Sequence, residues 1–559
     1  RDAALQLVEL CQGEVLVGRV TIGAGATVGV RATVGRNSCV EPGAYLTALS
    51  WLPEGARLAA GEQGDGVPAV GSGPAPEPPE VDRSGDLSPG LHALALVAGR
   101  LVGLPSILVL CVLTEWSAFG DVDSFWGALA LSSAALTLAV PASLLVQVLL
   151  LRLVGPIRPG SYSRWSPAAL RIWYKTGAVE SAGRWLSGSL LWPRWLRLAG
   201  MDVGRGCEIS TIIDVVPETV RIGDESFFAD GIYLCSPMFH RGTIAVLRTE
   251  LGCNTFLGNH AVVPAGPRYP DDLFVGVATV ARDGAGPGTG LFGHPSLVLH
   301  RREVVTIDRR LTHDPSFARR VTRWVFEVGR FPLVVLPVLT VLAWFSLSQA
   351  AAGLDPGLRL GAVVLPVTLA ALALPVVATL ALKWLLLGRG RPGRHPFWSC
   401  WCARWDYVYM AWQTWAASPL GWLEGTLFLN VVLRLAGAHI GREVLLGPGF
   451  RQVVDPDMLW FEDGATIAGD FQTHSFEDRV LKIDRVDVRQ RATVGQSAVV
   501  FFGADIGAES RVEPAGVVMK GAVLVPGRTY AGNPVSPRTG ASHRGAAVDR
   551  VASKAHLYR

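Results

Sequence analysis

Charge is what this 559-residue chain has least of: Asp, Glu, Lys and Arg together make up 18% of it, against about a quarter in an ordinary soluble domain. No Cys-x-x-Cys pair occurs, and Cys400 and Cys402 stand too close for a zinc knuckle, so metal-ligand spacing is missing and no metal site is expected. No signal-peptide pattern follows Arg1, and the chain reads as a piece of a longer one. The formal net charge is only +4. The arginines behind it are accounted for by membrane topology, which leaves no case for a nucleic-acid partner.

What is abundant is apolar. Half of the residues are hydrophobic and mean hydropathy is +0.33. They gather in four runs, roughly 91–114, 125–153, 331–352 and 359–387, each long enough to cross a bilayer, where about 20 residues suffice. The loop EWSAFGDVDS (115–124) carries acids and no Lys or Arg, and AAGLDPGLR (351–359) carries one charge of each sign. The other flanks are basic: Arg152, Arg158, Arg164 and Arg171 after the second run, Arg301 to Arg323 before the third, Arg389 to Arg394 after the fourth. The positive-inside rule then predicts a multi-pass protein of the cytoplasmic membrane with its large domains in the cytoplasm. There, disulfides are not expected.

The rest of the chain repeats with a period of six. Leu16, Ile22, Val28, Val34, Val40 and Leu46 share one frame, with glycine at 23, 29 and 35. Looser versions run through Ile222, Phe228, Leu234, Leu257 and Val263, and through Val494, Val500, Ile506, Val512 and Val518. A hexapeptide period of this kind marks a parallel β-helix, whose stacked coils bury a column of aliphatic side chains that no single coil could bury. The [LIV]-G-x4 steps predict the left-handed, three-sided form.

A longer repeat encloses the short one. WLRLAGMDVGR (195–205) matches VLRLAGAHIGR (432–442), and VEP at 40–42 matches VEP at 512–514, which pairs Ile22-Gly23 with Val494-Gly495. The expected fold is therefore a membrane protein of mixed α and β class, in which tandem left-handed β-helix domains alternate with transmembrane helix hairpins. Three prisms on one chain suggest an intramolecular pseudo-trimer; the sequence does not fix the oligomeric state. The expected divisions are the end of a first β-helix (1–61), a disordered Pro/Gly-rich linker (62–90), a first membrane hairpin (91–154), a Trp-rich segment (155–200) and a second β-helix (201–300). A basic linker (301–323), a second hairpin (324–388), a Trp-rich segment (396–437), a third β-helix (438–537) and a basic tail (538–559) follow. The Trp-rich segments read either as interfacial helices that seat each prism on the membrane or as helices packed on the prism flanks.

One stretch breaks the plain pattern. In ATIAGDFQTHSFEDR (465–479) the six-period stops, and His474, Glu477, Asp478 and Arg479 arrive together. A neutral imidazole at such a break can take a proton from an incoming amine. Glu477 or Asp478 can orient the ring or hold an amine, and Arg479 can pair with an acid or a phosphate. CSPMFHRG in the second domain places His240 as the matching candidate. Asp470 and Lys520 are further candidates for substrate contact; His260 reads as a corner residue and His439 as structural.

YAGNPVSP (530–537) resembles the closing turn of hexapeptide-repeat acyltransferases. In that family the pantetheine arm of an acyl thioester lies in a groove between prisms, and a histidine across the groove is the base. The layout as a whole, with HSFEDRVLK (474–482) and EPAGVVMKG (513–521), resembles the carboxy-terminal region of the poly-ε-lysine synthetase family of membrane-bound nonribosomal peptide synthetases. The resemblance covers essentially the whole chain. It implies a peptide-bond-forming aminoacyltransferase with no bound cofactor, fed by a phosphopantetheine thioester on upstream carrier and adenylation domains. His474 carries over as the base and His240 less directly, because its neighbours depart from HSFEDR. Two other classes fit the same residues: a coenzyme A-dependent acyltransferase acting on a lipid or cell-wall precursor, and a noncatalytic membrane scaffold.

Overall fold

The structure is a computed structural model that describes residues 1–102, 125–299 and 307–538. Ile22 lies beside Val40 and Val40 beside Leu58, in parallel register. Val28 pairs with Leu46, and Val34 with Leu52. Each coil thus takes three hexapeptides, and one aliphatic from each reaches the axis, so Val34, Val40 and Leu46 are fully buried. The glycines of the repeat are required by the neighbouring coil. A Cβ on Gly29 would lie 2.6 Å from the backbone of Thr47 and Ala48. Two further three-sided parallel prisms follow, from Asp202 and from His439, with the same order of faces.

In each prism the chain leaves the wall once as an antiparallel hairpin: Val8–Cys11 with Glu14–Val17, Met238–His240 with Thr243–Val246, and His474–Glu477 with Val480–Ile483. A third strand joins the last two, Gly160–Ser163 from the first Trp-rich segment and Gly393–Pro396 from the chain leading into the second. The hairpins set the true correspondence of the prisms, and it corrects the expected frame. Leu16 belongs to the first hairpin, not to the aliphatic column. The first wall strand after the hairpin ends at Ile22 in prism 1 and at Val488 in prism 3. The VEP match is therefore one hexapeptide out of phase, an error that a self-similar repeat invites. The expected linker at 62–90 also begins too early. Glu62–Asp65 and Val70–Pro74 pair and close the first prism.

Among the described residues, three helical stretches are long and apolar enough to cross a membrane: Leu129–Leu153, Arg309–Gly353 and Pro356–Leu386. Half of the expected first span, 91–102, falls in the helix Pro89–Val102, and the other half, 103–114, lies outside the described residues. Some tryptophans of the Trp-rich segments pack inward, whereas Trp422 stays 81% exposed. Trp192 and Trp195 are buried in one core that runs from Leu144 and Leu151 of the helix Phe125–Leu153 to Ile209 and Leu257 of prism 2. Trp412 is buried in the core of prism 3.

The three prisms contact one another in a ring. The prism 1 hairpin donates from the backbone of Gln12 and Gly13 to the hydroxyls of Thr493 and Thr466 on prism 3. The prism 2 hairpin meets prism 1 through His240 and Arg241. The prism 3 hairpin meets prism 2 through Arg479, which donates to the carbonyls of Gly206 (2.7 Å) and Glu225 (3.1 Å). Arg31 stands among all three, 3.0 Å from His260 Nδ1 and 3.4 Å from Asp470. Every hairpin therefore covers one inter-prism groove.

Arg479 is 6% exposed and holds a positive φ of 59°, a strained choice for a residue with a Cβ. Its guanidinium answers two carbonyls that would otherwise go unpaired in the interface. Arg479→Ala is expected to cost about 1–3 kcal/mol, read as a lower thermal midpoint in detergent. An unchanged midpoint would show that the interface does not depend on it.

Candidate active site

The groove between prisms 2 and 3 holds a cavity of about 330 Å³, large enough for a small-molecule site. One wall is a ladder of stacked rings: Phe227, Phe256 and Phe274, with centroids 5.8 and 5.0 Å apart. These three occupy the same face of successive coils. The opposite wall carries Phe501 and Met519 of prism 3, and Val277 and Phe292 continue the apolar lining.

His474 begins the hairpin strand and lines this cavity. Its Nδ1 lies 2.8 Å from Asp455 Oδ2. A carboxylate accepts and cannot donate, so Nδ1 carries the hydrogen and Nε2 is left as the basic nitrogen. Asp455 is itself fixed: Trp405 Nε1 donates to its Oδ1 at 2.7 Å and Thr473 Oγ1 to its Oδ2 at 3.2 Å. The Trp405 ring stands edge-on to the imidazole at 4.8 Å. Trp405 is held in turn by the helix Cys400–Ala411, whose N-cap Ser399 accepts from Cys402 N. The arrangement is an oriented imidazole on an apolar slot, the equipment of a general base.

Several expected roles change. The ring is oriented by Asp455, not by Glu477 or Asp478. Glu477 is clamped between Lys482 and Lys520, the latter at 2.9 Å. Asp478 lines the cavity from the hairpin turn, at a positive φ of 47°. Arg479 donates to the backbone carbonyls of Gly206 and Glu225. Asp470 lies outside the cavity, half exposed, opposite Arg31. Lys520 stands at the rim. Neither Asp455 nor Trp405 was predicted from the sequence. Asp455 sits in VVDPDM, where nothing marks it apart from its neighbour Asp457.

His240 does not match His474. It is the last residue before its hairpin turn, the place that Glu477 holds in prism 3. The place of His474 falls to Pro237 in prism 2 and to Val8 in prism 1. His240 is buried, with Nδ1 2.7 Å from Thr27 Oγ1 and its ring edge-on to Tyr45 at 5.3 Å. It fills the groove between prisms 2 and 1. The groove between prisms 1 and 3 is filled by ions: Arg511 reaches Glu9 at 2.7 Å, and Arg36 reaches Glu9 at 2.9 Å.

Two of these interface histidines resist protonation. Burial, then the charge of Arg241, holds His240 below the ordinary value of 6.5. Burial, then Arg31, holds His260 well below it. The native state thus binds fewer protons than the unfolded chain. Their contribution is present above about pH 6.5 and is lost as pH falls below it. The thermal midpoint is expected to drop between about pH 7.5 and pH 5, less steeply in a His240→Gln, His260→Gln double variant. Identical slopes would rule the pair out as the source.

The chain is 27% identical over 575 residues to delta-poly-L-ornithine synthetase of Acinetobacter baumannii (strain AB307-0294), a match that takes in 94% of this chain and 41% of that protein. The chain is a relative of a poly-amino-acid synthetase. It spans about two fifths of the length of the synthetase it matches. No protein-family model matches it. Among solved structures, a hexapeptide-repeat serine O-acetyltransferase from Brucella melitensis is similar at a TM-score of 0.17 and 15% identity, covering 40% of this chain and 84% of that one. A serine acetyltransferase in complex with coenzyme A, from Brucella abortus strain S19, gives 0.17 and 18% with the same coverage. Likenesses of that size say nothing about function.

Proposed function

We propose that the chain is the amide-forming aminoacyltransferase region of a membrane-bound poly-amino-acid synthetase. Amino acids arrive as thioesters on the phosphopantetheine of a carrier domain, charged by an adenylation domain. The observation that carries this reading is His474, fixed through Nδ1 by Asp455 and lining an apolar slot between two prisms. The slot takes the pantetheine arm, and Nε2 faces the acceptor. The acceptor amine gives its proton to Nε2 as its nitrogen attacks the thioester carbonyl. The C–N bond forms and the C–S bond breaks, and the proton passes from His474 to the leaving sulfur. Asp455 stabilises the imidazolium between those steps. The relative's name, a poly-L-ornithine synthetase, supports an amino-acid polymer as product.

In this reading the prisms are left-handed and form a pseudo-trimer within one chain. The long apolar helices anchor them as a multi-pass protein with the prisms on the cytoplasmic side, where ATP charges the donor. The test uses the detergent-purified chain with a separately supplied, aminoacyl-loaded carrier, and follows peptide product by mass spectrometry. Product from the carrier thioester is expected. Product from an acyl coenzyme A and none from the carrier would replace this reading with a coenzyme A-dependent transferase.

A further inference from the structure

The cavity's lining has an apolar part and a polar part. Besides the apolar slot it includes Asp230, Asn259, Asp406, Tyr409 and Gln413. The rings give the sequence of positions. Trp405 is 4.8 Å from the His474 ring and stacks on Tyr409 at 6.3 Å. Tyr409 in turn faces Asp230 and Asp406: burial first, and then the charges of these two carboxylates, push its phenol up.

The two carboxylates differ in one respect. Asp406 accepts from Arg323 at 2.9 Å. Asp230 accepts from the Thr211 hydroxyl at 2.8 Å, and among the described residues no cationic group lies within ion-pair distance of it. The arginines that also line the cavity are placed elsewhere: Arg330 donates to the Ser187 carbonyl at 2.9 Å, and Arg184 is exposed. A half-buried carboxylate without a counter-charge is costly to hold. In a cavity, that cost is offset when a ligand brings the missing cation.

We propose that Asp230, with Tyr409 and Asn259 beside it, is the subsite that receives the second, non-reacting ammonium group of a diamino-acid acceptor, whose other, neutral amine attacks, and sets the specificity for a cationic amino acid. This rests on the transferase reading above. Asp230 is a binding residue that leaves the chemistry to His474. It belongs to prism 2, whereas His474 belongs to prism 3, so each prism supplies one half of the site.

The test is steady-state kinetics of the full chain with saturating carrier-linked thioester and L-ornithine as the varied acceptor. Asp230→Asn removes one charge at nearly constant volume. It is expected to raise the KM for L-ornithine about tenfold or more, the size of a lost charge-assisted contact, with kcat and the donor KM within about threefold. Asp230→Glu is expected to recover part of the loss. Thr211→Val deletes the hydroxyl's hydrogen bond, leaves the donation from Thr211 N at 3.4 Å and keeps the charge, so it is expected to leave the acceptor KM within about threefold. An unchanged KM in Asp230→Asn, or an equal rise in Thr211→Val, overturns the assignment. The wild-type chain separates the two levels. No product from the carrier thioester sinks the transferase reading itself, whereas product whose rate falls in His474→Ala but whose acceptor KM ignores Asp230→Asn sinks only this inference.

Discussion

His474→Ala is expected to lower turnover about a thousandfold, within the range of roughly 10² to 10⁴ that a positioned general base contributes, and to leave the thermal midpoint nearly unchanged. The midpoint holds because the imidazole makes one hydrogen bond, to Asp455, and Asp455 keeps its other two donors, Trp405 and Thr473. The donor KM should stay within about threefold, since the apolar slot is built by phenylalanines and Met519 and not by the ring. Asp455→Asn is expected to lose a large part of the same rate. An amide there can donate to Nδ1, which would turn the imidazole into the wrong tautomer with its lone pair away from the cavity. Single-turnover quench with loaded carrier measures both variants. If turnover persists in His474→Ala, the proton has another acceptor and the HSFEDR hairpin only covers the groove.

How far this site could be read from the sequence depends on which residues obey the six-period. The aliphatic column is legible because each hexapeptide must place one side chain on the axis, and any aliphatic will serve. The break at 474 is legible because a hairpin that leaves the wall has to interrupt that period. Asp455 was not legible. It lies in the loop before Leu459–Phe461 and meets His474 only because the coil returns beneath the hairpin and Trp405 descends from a flanking helix. Phase was hidden for a related reason. A hexapeptide repeat looks the same after every step, so VEP aligned one step off and His240 was matched with His474; only the hairpin turns distinguish the steps. Gly66 and the prolines around it made the end of prism 1 look like linker, although the antiparallel pairing of Glu62–Asp65 with Val70–Pro74 uses that same flexibility to cap the prism. Asp230 carries no periodic mark at all, and its proposed role comes from the absence, among the described residues, of a cation within ion-pair distance.

The second large effect concerns the slot. Met519→Trp is expected to lower kcat/KM for the thioester donor about a hundredfold, roughly 2.7 kcal/mol of lost transition-state access, while His240→Ala keeps turnover within about threefold. The contrast follows from what fills each groove. Between prisms 2 and 3 the facing walls, the phenylalanine ladder and Phe501 with Met519, stand apart and leave space, and an indole at 519 takes that space from the pantetheine arm. Between prisms 2 and 1 the equivalent place is occupied by His240 against Thr27 and Tyr45. Between prisms 1 and 3 it is occupied by Glu9 with Arg36 and Arg511. Those two grooves also present Pro237 and Val8 where the third has its histidine. A pseudo-trimer built this way uses three prisms to make one working groove, with prism 3 supplying the base and prism 2 the aromatic wall. On the proposed reading, chain growth is expected to repeat at that groove and not to pass from prism to prism. Calorimetric titration with a non-hydrolysable aminoacyl-pantetheine analogue is expected to give one site per chain, abolished by Met519→Trp and retained by His240→Ala. A stoichiometry of two or three would mean that the filled grooves open on binding and that the chemistry is shared among the prisms.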